Sequence, residues 1–515
     1  MKYRFFLPFL LCFCPQLLLA QPKPINAYFE ELRRLRQHNG NILVAENGQP
    51  TIDFSSGYAD FQAQRPNRPE SHFNLASISK VITATAVLQL RDKNKFSLND
   101  PLIKYLPDFP YSDIKIRHLL THTSGLPDLE LFEALVKLFP DTIITNRNVL
   151  PELRKWDPGL YFKPGDAFRY CNTEYNLLAL LVEKVSGMTF RAYLQKNIFG
   201  PAGMKDTYIA APGPANKVDS LMAHPQMKPH PGYDSTFVLV DSISRFRYLT
   251  YNNSGTVGQG GVISTTMDML RFDQAYFNGK LLRSSSMQEA MTPVKLNNGT
   301  VHYDHRMDTV EGEGKMTYGL GWEIFEHAIS GKSVGHGGFK FGLATFYLHN
   351  LTKNQTLIGF DNTAGSEFGR VITSALLLLN NKLPMRFRTS RSLVSLYGMS
   401  LVKKGVDHAA VVLNASKADT TTYYLNEGEM NDLGYNLFYM SSMPGHREMA
   451  LEVFKLATFI FPESFNTYDS YGQLLRDIGK IEDAILMYKK SIELNPKNED
   501  GKRILSQLMK TSDNK

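Results

Sequence analysis

Apolar residues fall into short, regularly broken groups along this chain. Asn41–Ala45 and Thr51–Phe54 are strand-like runs separated by Asn47-Gly48, a pair suited to a type I′ hairpin turn. From Ser77 to about Lys95, Ile78, Val81, Ile82, Ala84, Val87, Leu88 and Leu90 recur at helical spacing. Asn172–Val185 predicts a second apolar helix, ended by Gly187. Ser333–Gly337 and Leu343–His349 read as strands with a glycine-rich turn between them, and Val371–Leu379 as a helix on that sheet. Strands at both ends with helices between them predict an α+β domain over residues 26–382.

Beyond residue 386 the strand signals fade and helical periodicity takes over. Ala450, Phe454 and Pro462 recur as Ala484, Tyr488 and Pro496, a period of 34 residues. A small residue lets two helices approach closely, the aromatic fills the gap, and proline stops the second helix. This repeat resembles the tetratricopeptide unit. Tyr471-Gly472 supplies the glycine of the second unit, whereas the looser first unit has Leu437-Phe438 where glycine is usual. The expected layout is a degenerate helical linker over 386–425, then repeats and a cap helix over 426–512, making an all-α tail.

The first twenty residues are of another kind. Lys2 and Arg4 precede an apolar run over Phe5–Leu19, and Ala20 is small enough to precede a cleavage point. The run is short for a bilayer span and is interrupted by Pro8 and Pro15. The segment therefore predicts an export signal cleaved after Ala20, and a secreted or periplasmic protein. No later stretch reads as a transmembrane span.

Composition then narrows the function. The 515 residues are 43% hydrophobic and 21% charged, which excludes whole-chain disorder. The net charge of +7 falls to +5 without the leading segment, so nucleic acid is not an expected partner. Of three cysteines only Cys171 remains, which excludes an internal disulfide.

Three short motifs carry candidate chemistry. In Ser77-Ile78-Ser79-Lys80, a spacing of three on a helix brings Lys80 to Ser77, and a desolvated lysine can activate a serine hydroxyl. The Ser77 amide at a helix start would also face a developing oxyanion. In Tyr170-Cys171-Asn172, a tyrosine beside a lysine could act as a phenolate and move protons to a leaving group. In His336-Gly337-Gly338, two glycines bare a strand edge to substrate, and the Phe339 amide would be a second oxyanion donor.

Taken together, these motifs and their flanks resemble the serine β-lactamase and penicillin-binding-protein superfamily, in its class C-like branch. That branch includes D-alanyl-D-alanine carboxypeptidases, D-aminopeptidases and family VIII esterases. Phe73–Lys80 resembles its nucleophile segment. Ile116–Leu126, Phe199–Thr207 and Gly260–Thr265 resemble further stretches of that family. The resemblance implies a β-lactamase-like antiparallel sheet flanked by helices, with a helical domain beside it. It implies Ser77 as the acylated nucleophile, Lys80 and Tyr170 sharing proton transfer, and Asn172, His336, Gly338 and Phe339 binding substrate. It implies no metal and no organic cofactor. Where many relatives have lysine this chain has His336, largely neutral near pH 7 with an ordinary pKa of about 6.5. Gly337 replaces the usual hydroxyl residue. Both departures favour small-molecule or peptide substrates with amide or ester bonds over efficient β-lactam hydrolysis.

Rival readings are weaker. Cys171 as nucleophile with His336 as base leaves the flanking Tyr170 and Asn172 without a purpose. His118 and His122 have a zinc-like spacing but lack the glutamate of a metalloprotease helix. Gly331-Lys332-Ser333-Val334-Gly335 fits G-x-S-x-G, but it runs into the stretch read as a strand from Ser333 and not into a strand-to-helix elbow. The alternative of another class is a spent hydrolase domain acting as a scaffold, with a protein partner bound through the repeats.

Overall fold

The structure is a computed structural model; it describes residues 24–213, 219–230, 232–303, 314–327, 330–365, 367–440 and 443–512. The export segment Met1–Ala20 lies outside the described residues.

Helix α1 (Pro24–Leu35) leads into strands β1 (Gly40–Glu46) and β2 (Gln49–Ser56). The turn between the two strands puts Asn47 at φ 53° and Gly48 at φ 73°, as a type I′ turn requires. Helices α2 (Ser79–Asp92) and α3 (Asn172–Ser186) follow, then a two-stranded hairpin of β3 (Gln226–Met227) and β4 (Val238–Leu239). Helix α4 (Thr266–Phe277) precedes a meander of β5 (Gly314–Tyr318), β6 (Glu323–His327), β7 (Gly331–Lys340), β8 (Leu343–Asn350) and β9 (Gln355–Asp361). Helix α5 (Phe368–Leu379) ends this unit.

The main sheet is fully antiparallel in the order β5-β6-β7-β8-β9-β1-β2. Alternation along β1 explains why its sequence is apolar throughout. Leu43 and Ala45 face a core shared with α2 and α3, whereas Ile42 and Val44 face a second core shared with α1 and α5. A sheet buried on both faces needs apolar residues at both parities. Helix α2 is likewise buried nearly all round. Its hydroxyls are satisfied internally: Thr83 donates to the Gly258 carbonyl at 2.7 Å, and Ser79 Oγ accepts from the Val262 amide at 3.3 Å.

Two expectations change in detail. The nucleophile segment is not the first turn of α2, because Ala76–Ile78 forms a separate 3₁₀ turn in front of it. Gly338 is not in the turn expected after Gly337. Both glycines lie within β7, which continues to Lys340 and reverses through Gly342 at φ 68°.

After α5 the chain still packs on the sheet domain, where Phe387 stacks on Tyr28 at 4.9 Å. The C-terminal region is helical: α6 (Leu393–Lys404), α7 (Val406–Ser416), α8 (Glu427–Tyr435), α9 (His446–Ile460), α10 (Phe465–Asp477), α11 (Ile481–Leu494) and α12 (Glu499–Ser512). Ala450, Phe454, Ala484 and Tyr488 are all fully buried between helices. A Cβ on Gly434 would come within 2.6 Å of the Phe454 ring, and one on Gly472 within 3.2 Å of Tyr488. The glycine facing the first aromatic is therefore Gly434 and not the 438 position that the 34-residue period marks. Gly434 precedes Phe454 by 20 residues whereas Gly472 precedes Tyr488 by 16; a π-helical turn over Asn436–Met440 lies within the longer stretch.

The β3–β4 hairpin joins the two regions. Its tip residue Tyr233 is buried in the same cluster as Val394, Tyr397, Leu433 and Leu437. Gly398 packs so closely on the Gly232 carbonyl that a Cβ would sit 2.3 Å from it.

Candidate active site

The Ser77 turn is held from its first residue. Asn74 Oδ1 accepts from the Ala76 amide at 2.8 Å, and Ala76 adopts a left-handed φ of 47°. A non-glycine residue there carries roughly 1–2 kcal/mol of strain. That kink sets Ser77 on the wall of a cleft of about 1120 Å³, lined also by Tyr170, Asn172, Glu323, His336, Gly338 and Phe339.

Lys80 is completely buried beneath it. Its Nζ has three partners: Asn172 Oδ1 at 2.8 Å, the Gln259 carbonyl at 3.0 Å and Ser77 Oγ at 3.1 Å. The first two can only accept, so they hold two amine protons. The third direction is left for Ser77. Burial pulls the Lys80 pKa down to about 7, with Asp128 the foremost of the carboxylates opposing the fall. A large fraction of the amine is therefore neutral near pH 7, with a lone pair available to the serine proton.

Asn172 is oriented by Asp128, which sequence reading missed. Asp128 accepts from the Asn172 backbone amide at 2.6 Å and from Asn172 Nδ2 at 3.1 Å. Nδ2 thus faces the carboxylate, and Oδ1 must face Lys80. A lone loop carboxylate after Pro127 has no pattern to expose it. The Gln259 carbonyl is equally hidden, because a backbone acceptor carries no residue signature.

Tyr170 hydrogen-bonds the Ser77 side chain, and Lys80 Nζ lies 4.7 Å from its ring centre. About a third of its surface faces the cleft, but packing around the hydroxyl pushes its pKa well above the ordinary phenol value. Burial thus disfavours the resting phenolate that the sequence suggested and favours a protonated Tyr170 beside Lys80. His122 supports the ring at 4.3 Å and bonds through Nδ1 to Glu174 at 2.5 Å. Burial pushes the Glu174 pKa up and the His122 pKa down, favouring the neutral form of each.

His336 is 1% exposed. Its Nδ1–H donates to the Gly337 carbonyl at 2.6 Å, which leaves Nε2 to accept from Tyr318 Oη at 3.0 Å. Burial, aided by the Lys80 charge, pulls its pKa to about 3. It is neutral at any physiological pH. Glu323, also missed in the sequence, accepts from the Gly337 amide at 2.8 Å beside it.

Gly338 serves packing more than substrate access. A Cβ there would meet Thr345 Oγ1 at 2.2 Å, the Leu75 carbonyl at 2.7 Å and Ala76 Cβ at 3.1 Å. Its bareness lets β7 lie directly against the Ser77 turn. Strand pairing between β6 and β7 stops at Glu323↔Gly335, so β7 from His336 onward opens on the cleft. Phe339 lies in this stretch, with its side chain 65% exposed.

A family profile described as Beta-lactamase matches residues 25–380. The chain belongs to the beta-lactamase family. Over 347 residues it is 33% identical to Penicillin-binding protein 4* of Bacillus subtilis, spanning 66% of this chain and 71% of that one. The crystal structure of a penicillin binding protein from Bacillus halodurans covers 70% of this chain and 100% of its own, with 26% identity and a TM-score of 0.56. A D-amino acid amidase from Ochrobactrum anthropi shares the fold at 22% identity and a TM-score of 0.54, covering 69% of this beta-lactamase-family chain and 99% of its own.

Proposed function

We propose that this protein is an exported serine hydrolase that cleaves an amide, peptide or ester bond through an acyl-enzyme on Ser77. One observation carries the reading. Lys80 Nζ lies 3.1 Å from Ser77 Oγ, with its other protons committed to fixed acceptors and its pKa drawn to about 7. Neutral Lys80 takes the Ser77 proton as Oγ attacks the substrate carbonyl. The Ser77 and Phe339 amides stabilise the oxyanion. Tyr170 relays the proton from Lys80 to the leaving group, and the regenerated base then activates the deacylating water.

Neutral, buried His336 offers no cation to a β-lactam carboxylate, so amides and esters are better substrates than β-lactams. The leading apolar segment supports export. The close glycine–aromatic packing of the C-terminal helices supports tetratricopeptide-like repeats, a class of surface suited to a protein partner. The intact Ser77, Lys80 and Tyr170 set favour an enzyme over a spent scaffold.

Intact-protein mass spectrometry after treatment with a fluorophosphonate or a penicillin tests the reading. One adduct per chain, mapped to Ser77 and absent from Ser77→Ala, is expected. Undiminished p-nitrophenyl ester turnover by folded Ser77→Ala would refute it.

A further inference from the structure

Lys340 ends β7, paired across the hairpin with Leu343. Residues two apart on a strand share a face, so Lys340 lies on the same side as Gly338, which is packed on Leu75 and Ala76. It lines the same cleft as Ser77. Two strand residues span about 6.6 Å, so this amine is anchored one short step beyond the nucleophile turn.

The other charged side chains of the cleft are accounted for. Arg247 pairs with Asp141 at 2.7 Å. Glu323 lies at the far end beside His336 and holds the Gly337 amide. Burial lowers the Lys340 pKa, and Asp241, in the turn Val240–Ser242, opposes that fall from a distance without forming an ion pair. Among the described residues Lys340 donates no side-chain hydrogen bond. Leu239 and Phe341 line the same cleft, and Phe341, the next residue, stacks on Phe246 at 3.9 Å. A half-buried amine without a direct partner is costly to keep unless something else brings the counter-charge.

The direction of the cleft says which part of a substrate would bring it. Tyr170, the donor to the leaving group, lies on the His336 side, with the two rings 6.2 Å apart. From His336, β7 runs past Phe339 to Lys340. The leaving group therefore departs at the His336 end, and the acyl portion extends towards Lys340.

We propose that Lys340 is an anion subsite on the acyl side of the cleft, selecting substrates whose acyl portion carries a carboxylate. This rests on the acyl-enzyme reading above. It places charge recognition on the opposite side of the scissile bond from the neutral His336.

The test uses the full chain and p-nitrophenyl esters of one acyl length. Adipic acid monoesters supply an ω-carboxylate, their methyl-capped forms a neutral end, and 6-aminohexanoate an ω-ammonium. The wild type should prefer the carboxylate over the neutral ester by about tenfold in kcat/KM, the worth of one charge-assisted contact. Lys340→Met should erase that ratio, and Lys340→Glu should turn the preference towards the ammonium ester. A purely structural role would lower all three esters together. Equal loss on all three, an unchanged ratio in Lys340→Met, or a wild-type preference for the ammonium ester would each overturn the subsite while leaving the hydrolase reading standing. No turnover of any ester by the wild type, together with no fluorophosphonate adduct, would overturn both.

Discussion

Replacing Gly338 with alanine isolates the contact that joins β7 to the nucleophile. The added methyl would lie 2.2 Å from Thr345 Oγ1, 2.7 Å from the Leu75 carbonyl and 3.1 Å from Ala76 Cβ. Thr345 has little freedom to yield, since its hydroxyl donates to that same Leu75 carbonyl at 2.9 Å. The Leu75 carbonyl is backbone, and Ala76 directly precedes Ser77. Relief therefore requires β7 and the turn to move apart by several tenths of an ångström. Overpacking of this kind costs about 1–3 kcal/mol of stability. Misplacement approaching 1 Å between nucleophile and oxyanion donor costs on the order of 100-fold in rate. The neighbouring glycine is the control: a Cβ on Gly337 meets nothing nearer than Glu323 Oε2 at 3.8 Å. Steady-state ester hydrolysis and thermal unfolding of both variants give the comparison. Gly338→Ala should lose about 100-fold in kcat/KM and melt earlier, whereas Gly337→Ala should stay within about threefold of wild type. Similar behaviour of the two variants would refute the packing argument.

Other consequences are open to measurement. Lys80 must be neutral to act, so kcat/KM should rise with unit slope as pH increases through about 7 and then level off. His336, at about 3, contributes no limb in that range. Asp128→Asn removes an anion that favours the Lys80 ammonium, so the limb should move to lower pH by about one unit; a shift upwards would contradict the electrostatics. Tyr170→Phe should fold normally and lose roughly 100- to 10,000-fold in kcat, as measured on an unactivated amide. In the C-terminal helices, Gly434→Ala should destabilise more than Gly472→Ala by calorimetry, because the first methyl collides with Phe454 and the second only presses on Tyr488.

Features encoded by near neighbours were legible in the sequence. The Asn47-Gly48 turn needs only its own backbone angles, and Ser77 and Lys80 are brought together by one helical turn. Tyr170, Asn172 and His336 were recovered through resemblance, which gave positions but not environments. The burial that lowers the Lys80 pKa and raises that of Tyr170 comes from many elements at once. Asp128, the Gln259 carbonyl and Glu323 reach the site from loops or strand ends with no periodic pattern. Gly338 was legible as a glycine, but the group that requires its bareness is Leu75, far away in the chain. Gly434 was hidden because four more residues separate it from Phe454 than separate Gly472 from Tyr488, so a fixed 34-residue period points past it.

The β3–β4 hairpin makes the C-terminal helices something other than a detachable cassette. Tyr233 is a core residue of the helical region although it is encoded within the hydrolase, between strands whose base, at Leu239, forms cleft wall. Moving residues 393–512 onto another hydrolase would leave a vacancy where Tyr233 inserts. Deleting them would bare an aromatic tip and free the cleft wall attached to it. Recombination between such proteins would have to carry the hairpin and the helices together, so the unit of exchange is discontinuous in the gene while contiguous in space.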